Sequence, residues 1–575
     1  MHRHFPTYFF LVIILGLGGF FLFPSRITPS TMPGTELFFE IVKISGAVIP
    51  HHDIVKSQRE NFIKMISSSV TSPDTIILVG PNHSNVGKSN TQITDVTWQT
   101  IAGRLEPDLD IINSIGFPIE PASFQNEHSI FLIVGELRKY FPTSEIVPLI
   151  FKSTVTYDEI QRVHDSLYDT CENKNCLIMA SVDMSHYQPA ILANLHDDLT
   201  LRALRKIDPK MLFEKPEVDS SASLALLALW AKSHKTSTFE LHSHTNSGEL
   251  LKDLDRETTT HIMGWYSDKD VESQNPMEVT FLIGGDMMFA RMVNHTFIND
   301  LRGAVVQLGD RLFWGTDLSL INLEGAISDK PVQDIPGQTF SFIFNPEVVS
   351  VLKWMHVNVV SLANNHSMNN GIDGLSVTRK LLTEDGIQSA GGPGSDDIIR
   401  IAKINGEGLS ITVIGISVFG KVPDISKMIS DIKKNSEERV IIMPHWGTEY
   451  LFTHNQTQEI LAHAWIDAGA DMVIGSHPNV IQDSELYKDK PIFYSLGNLL
   501  FDQTFSKATQ RGMLIGGKFT ENGVEFFGLP TQSVKLQPQL LRGAEKMEYL
   551  DRLYSPFKDY IQNTPAGDIV AIPFK

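Results

Sequence analysis

The sequence predicts an α/β protein: two α/β blocks behind an N-terminal transmembrane helix. Three observations carry this expectation. Short Val/Ile/Leu-rich runs alternate with longer amphipathic segments through both halves of the chain, the pattern of βαβ units. The stretch "SDKDVESQNPM", Ser267 to Met277, has no apolar periodicity and contains a proline, so it reads as a linker between them. Phe5 to Ser25 contains no charged residue, and a run of roughly 20 residues suffices to cross a bilayer.

The first element is therefore a signal anchor over residues 1–30. Arg3 and the amino terminus precede the apolar run and favour a cytoplasmic start, although Arg26 follows it. No small-x-small cleavage site follows the run, and no cysteine stands there for lipid attachment. The expectation is an uncleaved, single-pass cell-membrane protein whose remaining residues are extracytoplasmic. "RITPSTMPGTE" is a Pro/Ser/Thr-rich spacer leading into the first block, residues 35–266.

Bulk composition fits two folded blocks. Of 575 residues, 42% are hydrophobic and 20% charged, which is the globular range. The 67 acidic residues outnumber the 48 basic ones, for a formal charge of -19. That excludes a nucleic-acid surface, which needs clustered Lys and Arg to replace counterions. An anionic substrate would need a local positive charge, and a bound metal would supply one. Cys171 and Cys176 are the only cysteines. They either pair in an oxidising compartment or stand as two thiols on a loop, and two further ligands for a zinc ribbon are lacking.

In the first block several apolar runs end in ionisable residues. "SGAVIPHHD" ends at His51 and His52, "TIILVGPNHSN" at His83, and "CLIMASVDMSHYQ" at Asp183 and His186, while "NEHSI" adds Glu127 and His128. These stretches, with "NSGE" and "MGWYS" near residue 266, resemble the Memo family, related in fold to class III extradiol dioxygenases. The resemblance implies His51 and His83 as metal ligands. Where some family members have a cysteine as third ligand, the segment "EVDSSAS" has none. Asp219 is the expected replacement, and two His with one carboxylate suit non-haem Fe(II), with copper as the other candidate.

The second block, residues 278–535, is more regular. "VTFLIGGD" leads to Asp286, "LSLINLEG" to Asn322 and Glu324, and "VNVVSLANNH" to Asn364, Asn365 and His366. "RVIIMPHWGTEY" leads to His445 and Glu449, "DMVIGSH" to His477, and "KPIFYSLGN" to Asn498. A single His after a strand is ordinarily a hydrogen-bonded turn residue. Here polar groups end one run after another, and in open α/β sheets ligands bind beyond the carboxyl ends of the strands. Carboxylate, amide and imidazole together make a shell suited to Mn, Fe or Zn. One helix is explicit between these strands: "TQEILAHAWIDAG" has Thr457 as its start, an apolar face of Ile460, Leu461, Ala464, Trp465 and Ala468, and Gly469 as its stop.

"GGDMMFAR", "NLEGAIS", "LANNHSMNNGIDGL", "PHWGTEY", "GSHPNV" and "YSLGNLLFD" resemble, in order, the motifs of the CapA family of capsule and poly-γ-glutamate synthesis proteins. The resemblance implies the calcineurin-like metallophosphatase fold, a β-sandwich flanked by helices. It implies Asp286 and His477 at one metal, Asn365 and His445 at another, Glu324 as the bridge, and His366 facing the scissile centre. Two positions depart from the family pattern: Asn479 stands where a second His is common, and Asn369 stands where "NNHxxD" has Asp. An amide oxygen is a neutral, weaker ligand. Asn82-His83-Ser84 and Asn365-His366-Ser367 fit the N-glycosylation sequon, but a glycan at either would block a strand-end crevice.

Residues 536–575 form an extension with a helix expected around Glu545–Tyr554. The functional expectation is a metal-dependent hydrolase or transferase acting on an envelope polymer or its precursor, with capsule synthesis subunits as partners. The alternatives are a non-catalytic polymer-binding or assembly subunit, or metal and redox chemistry in the Memo-like block.

Overall fold

The computed structural model describes residues 43–269, 275–330, 341–392, 400–420 and 422–574. Among these residues no helix is long and apolar enough to cross a membrane. The run Phe5–Ser25 lies outside them.

The first block is built on an eight-stranded sheet. At its centre lie four parallel strands in the spatial order β3-β2-β4-β1: β1 is Ile44–Ile49, β2 Thr75–Pro81, β3 Glu145–Phe151 and β4 Cys176–Ser181. β5, Thr258–Ser267, the last strand of the block, pairs antiparallel with β1 and with two further strands, Thr238–Asn246 and His186–Gln188. These central strands are buried along their length, so they read as continuous apolar runs rather than alternating ones. Val48, Ile77, Val79 and Ile178 pack on one face against α3 (Ser221–Ser233). Ile49, Ile76, Leu78 and Met179 pack on the other against helices that include α1 (His128–Tyr140). A disulfide joins Cys171 to Cys176, the first residue of β4.

The second block contains two further large sheets. In the ten-stranded one, β6 (Glu278–Met287), β7 (Leu318–Leu323) and β8 (Val359–Ser361) run parallel and side by side. The six-stranded one is centred on parallel β9 (Ser410–Ser417), β10 (Glu438–His445) and β11 (Met472–Ile474). β12 (Asn498–Leu500) pairs with the end of β6. The sheets face each other: Phe281 and Ile283 of β6 share one core with Ile411 and Val413 of β9 and Ile441 and Met443 of β10. Helices cover the outer faces, giving a sandwich flanked by helices. One of them, α4, spans Gln456–Asp467 and differs in detail from its expected form. Its cap is Asn455, in a reciprocal capping box with Gln458, rather than Thr457. It buries Ala462, Trp465 and Ile466, while Ile460 is exposed.

Residues beyond 535 belong to the same sheet. β13 (Arg511–Thr520) pairs antiparallel with β6, β14 (Gly523–Val534) with β13, and β15 (Gly567–Pro573) with β14. The expected helix is α5, Gly543–Tyr554, whose Leu550, Leu553 and Tyr554 enter the core between the sheets.

The two blocks meet through buried charge. Arg202, on α2 (Ala190–Lys206) of the first block, donates to both carboxylate oxygens of Asp317 at 2.7 and 2.8 Å. Asp317 also accepts from the Thr280 amide and hydroxyl, both at 2.9 Å. Removing one partner of a buried pair costs about 3–5 kcal/mol, because the other charge stays buried. Arg202→Met should lower stability by about that amount, and Asp317→Asn in the same background should recover part of it, both read from urea denaturation.

Candidate metal centres

In the second block the strand ends converge as the sequence suggested. Asp286 lies in β6 and Asn322 in β7, Glu324 follows β7, Asn364 to His366 follow β8, His445 ends β10, and His477 follows β11. One ligand atom each from Asp286, Glu324 and His445 lies within 4.8 Å of the others, and all three residues are buried. Asp286 is fixed at both oxygens, accepting from Asn322 Nδ2 at 2.7 Å and from the His477 amide at 3.0 Å. His445 Nε2 faces Asn365 Oδ1 at 2.9 Å, and its Nδ1 meets the Ser476 hydroxyl at 2.9 Å. The His477 ring lies 4.8 Å from that of His445, centroid to centroid. His366 Nε2 lies 3.8 Å from Glu324 Oε1.

The two departures from the family pattern have distinct local roles. Asn369 Oδ1 accepts from the Phe342 amide at 2.7 Å and pairs with His366 Nδ1 at 3.0 Å, so it orients the His366 ring as a carboxylate would, without the charge. Asn479 donates through Nδ2 to the His477 carbonyl at 2.9 Å and leaves its buried Oδ1 without a partner. The turn that holds both residues is strained: φ is +98° at His477 and +60° at Asn479, a region costly for side-chain-bearing residues. Gly475 makes this turn possible, because a Cβ there would lie 2.1 Å from the Tyr494 carbonyl oxygen.

The electrostatics ask for a cation. Burial pushes the Asp286 carboxyl up to about 6, and burial with the neighbouring Asp286 and Glu449 charges pushes Glu324 well above the carboxylate range. Burial, then the neighbouring His477 and His366, hold His445 well below the usual imidazole value, and burial lowers His477 to about 4. Both imidazoles are therefore neutral, the form that ligates metal. Glu324 Oε2, His477 Nδ1 and Asn498 Oδ1 are buried without hydrogen-bond partners. Orphaned lone pairs beside paired carboxyls fit a divalent ion.

The first block gathers a second set. His51 Nε2 lies 3.1 Å from Asp219 Oδ2 and 3.4 Å from Asp183 Oδ2. His83 Nε2 lies 3.8 Å from Asp219 Oδ2, and His83 Nδ1 lies 2.7 Å from Glu127 Oε1. The structure thus brings His51, His83 and Asp219 together, and Asp219 Oδ1 is buried without a partner. Burial opposes protonation of His83, but the Asp219 and Glu127 carboxylates outweigh it and raise the ring to about 9. Asp183 and Asp219 likewise outweigh burial at His51, which is also raised. A metal entering here would displace protons.

Sequence reasoning noticed Asp183 and His128 without placing them among the ligands. Asp183 groups with His51 and Asp219, and His128 with His51 and His83, in each case with ligand atoms within 4.8 Å of one another. His261 was missed. It is fully buried on β5, with Nε2 3.1 Å from His52 Nδ1. Its one signal is its place within the strand "TTTHIMGWYS". Arg291 was missed as well; it pairs with Asp502 and lies 4.8 Å over the Phe342 ring that stacks on His366.

Comparison with known proteins agrees with this division. Residues 280–503 match the bacterial capsule synthesis protein PGA_cap family, and residues 26–257 match the Memo-like protein family. The PGA biosynthesis protein CapA of Bacillus subtilis (strain 168) is 32% identical over 263 residues, covering 42% of this chain and 68% of that protein. The capsule biosynthesis protein CapA of Bacillus anthracis is 34% identical over 197 residues, 31% of this chain and 48% of that one. A MEMO1 family protein of Nitrosopumilus maritimus is 24% identical over 233 residues, 39% of this chain and 82% of its own. Among solved structures, a novel phosphatase of Mycoplasma pneumoniae aligns over 47% of this chain and 96% of its own, at 12% identity and a TM-score of 0.26, a likeness too slight to bear on the fold. The chain belongs to the CapA family of bacterial capsule synthesis proteins, with a Memo-like domain fused ahead of its capsule-synthesis domain.

Proposed function

We propose that this chain is a membrane-anchored, extracytoplasmic protein of envelope-polymer synthesis, poly-γ-glutamate or a related polymer, and that its capsule-synthesis domain is a metal-dependent hydrolase or transferase. The grouping of Asp286, Glu324 and His445 in one buried crevice carries this reading. The apolar run Phe5–Ser25 supports the anchor. The Cys171–Cys176 disulfide supports an oxidising compartment.

Asp286, Glu324, Asn365, His445 and His477 would hold the metal, for which Mn, Zn or Fe suits the mixed oxygen and nitrogen donors. Such an ion supplies Lewis acidity and brings bound water toward neutrality. Asn322 keeps Asp286 oriented, and Ser476 and Asn365 fix the His445 ring. His366, aimed by Asn369, would pass a proton at Nε2 to the leaving group. In the Memo-like domain His51, His83 and Asp219 would hold Fe or Cu.

A second reading, a polymer-binding subunit without turnover, is favoured by one observation: Asn479 replaces an imidazole and keeps an unpartnered oxygen. Capsule synthesis subunits would be partners under either reading.

Two measurements test these statements. In a chain lacking its first 29 residues, His445→Ala should lose metal from the capsule-synthesis domain and lower phosphodiester or polyglutamate hydrolysis at least about 100-fold, since a ligand is gone. Full metal content with unchanged hydrolysis would exclude this crevice as the catalytic centre, whereas polymer binding with no turnover in the parent chain would favour the subunit. The second concerns pH. Burial raises the Asp286 carboxyl to about 6 from near 3.8, so between those values this one group holds more proton in the folded metal-free chain than in the unfolded one. Its own contribution to stability should fall as pH rises through that window, so the melting temperature of Asp286→Asn relative to the parent should rise with pH across it.

A further inference from the structure

Glu217 is fully buried and stands two residues before Asp219. One of its oxygens accepts from the Ser185 hydroxyl and, at 2.9 Å, from the His186 amide; His196 Nδ1 lies 3.6 Å away. These neighbours belong to the Memo-like domain. Its other oxygen accepts from Arg311 Nη1, which belongs to the capsule-synthesis domain. The Arg311 guanidinium carbon lies 5.6 Å from the ring centres of both Tyr187 and Trp314, so it is framed by aromatic rings from both domains. The contact is built closely. Gly315 has φ +84°, and a Cβ there would lie 2.9 Å from His196 Cβ, so glycine alone lets the segment approach this near.

What Glu217 holds is the chain beside the first centre. Asp219 Oδ2 accepts from the Asp183 amide at 3.1 Å, and the Asp219 amide donates to the Asp183 carbonyl at 3.2 Å. Asp183 Oδ1 accepts in turn from the His51 amide at 3.1 Å. Asp183 to His186 are thereby clamped, with Asp219 at one end and Glu217 at the other. A buried carboxylate must be both hydrogen-bonded and neutralised to hold its place. The Memo-like domain supplies the hydrogen bonds, and the guanidinium comes from the other domain.

We propose that Arg311 is a positioning residue for the metal centre of the Memo-like domain: by neutralising Glu217 it fixes Asp183–His186, and through them Asp219 and His51. The capsule-synthesis domain then completes a site that it does not contain, which gives the fusion a physical reason. The inference rests on the reading of His51, His83 and Asp219 as metal-holding. Groups that orient metal ligands are worth about 10–100-fold in metal affinity when removed.

The test uses the full chain in detergent, stripped of metal and titrated with Co²⁺ alone, followed by visible absorption. All samples carry Asp286→Asn and His445→Ala to silence the second centre. Arg311→Met should weaken Co²⁺ binding about 10-fold or more and shift its absorption bands, and Arg311→Lys should restore most of the affinity. Lys518→Ala, which removes a different cross-domain pair with Asp198 at 2.9 Å, should change neither and so controls for a loosened interface. Within a Glu217→Gln background, Arg311→Met should have no further effect, a comparison that stands even where the single variant folds poorly. Unaltered affinity and spectrum in Arg311→Met, with the signal lost in His51→Ala, overturns the positioning role and leaves the centre intact. A signal unaffected by His51→Ala overturns the centre itself.

Discussion

The carboxylate of Asp317 is the constraint on which the second domain's geometry depends. It accepts from Thr280 at the start of β6, and Thr280 Oγ1 receives the Asp317 amide in return, at 2.9 Å. The Asp317 carbonyl accepts from Asn358 at 2.7 Å, just before β8. One residue therefore sets the starts of three parallel strands whose far ends carry Asp286, Glu324 and the Asn364–His366 segment. A slip of one residue in any of them would turn its polar group to the opposite face. Because the same carboxylate takes Arg202 from the Memo-like domain, the register of the sandwich and the seating of the domains share a single anchor.

The two centres have opposite electrostatic characters. In the Memo-like domain carboxylates outweigh burial and hold His51 and His83 toward the cationic form, so charges there are already paired. In the capsule-synthesis domain burial dominates: carboxyls are raised, imidazoles lowered, and polar atoms left unpartnered. The first centre must exchange protons for a metal. At the second, Arg291 bears on Glu324 but is itself paired with Asp502, and burial still keeps the carboxyls raised, in keeping with a chain whose acidic residues outnumber its basic ones.

Much of this was legible in the sequence because a buried parallel strand writes itself as an unbroken apolar run, and a polar residue ending such a run is conspicuous. Asp286, Glu324, His445, His51 and His83 were found that way. Asn364 ended a strand equally clearly, yet it ties Asn322 and the Leu323 carbonyl to the loop; position alone does not separate a ligand from a brace. The face of α4 was misread because Ile460 is apolar but exposed, and propensity carries no record of which side a neighbour covers. The tail was illegible for another reason: β15 alternates weakly and owes its place to pairing with β14, a partner distant in the chain. Arg311 and Glu217 lie far apart in sequence, and nothing local marks either as half of a pair.

The threading of the ten-stranded sheet has a consequence for how the chain is made. β6 takes β13 as its antiparallel neighbour, so after Met287 leaves the ribosome its edge stays open until Arg511–Thr520 has followed. β14 in turn waits for Gly567–Pro573. Such distant pairings close slowly, and open apolar edges invite association between nascent copies. A polypeptide halted at Val534 would keep that edge permanently bare. Gly567–Pro573 thus acts as a seal on newly synthesised material, covering a strand edge that the preceding segments leave open.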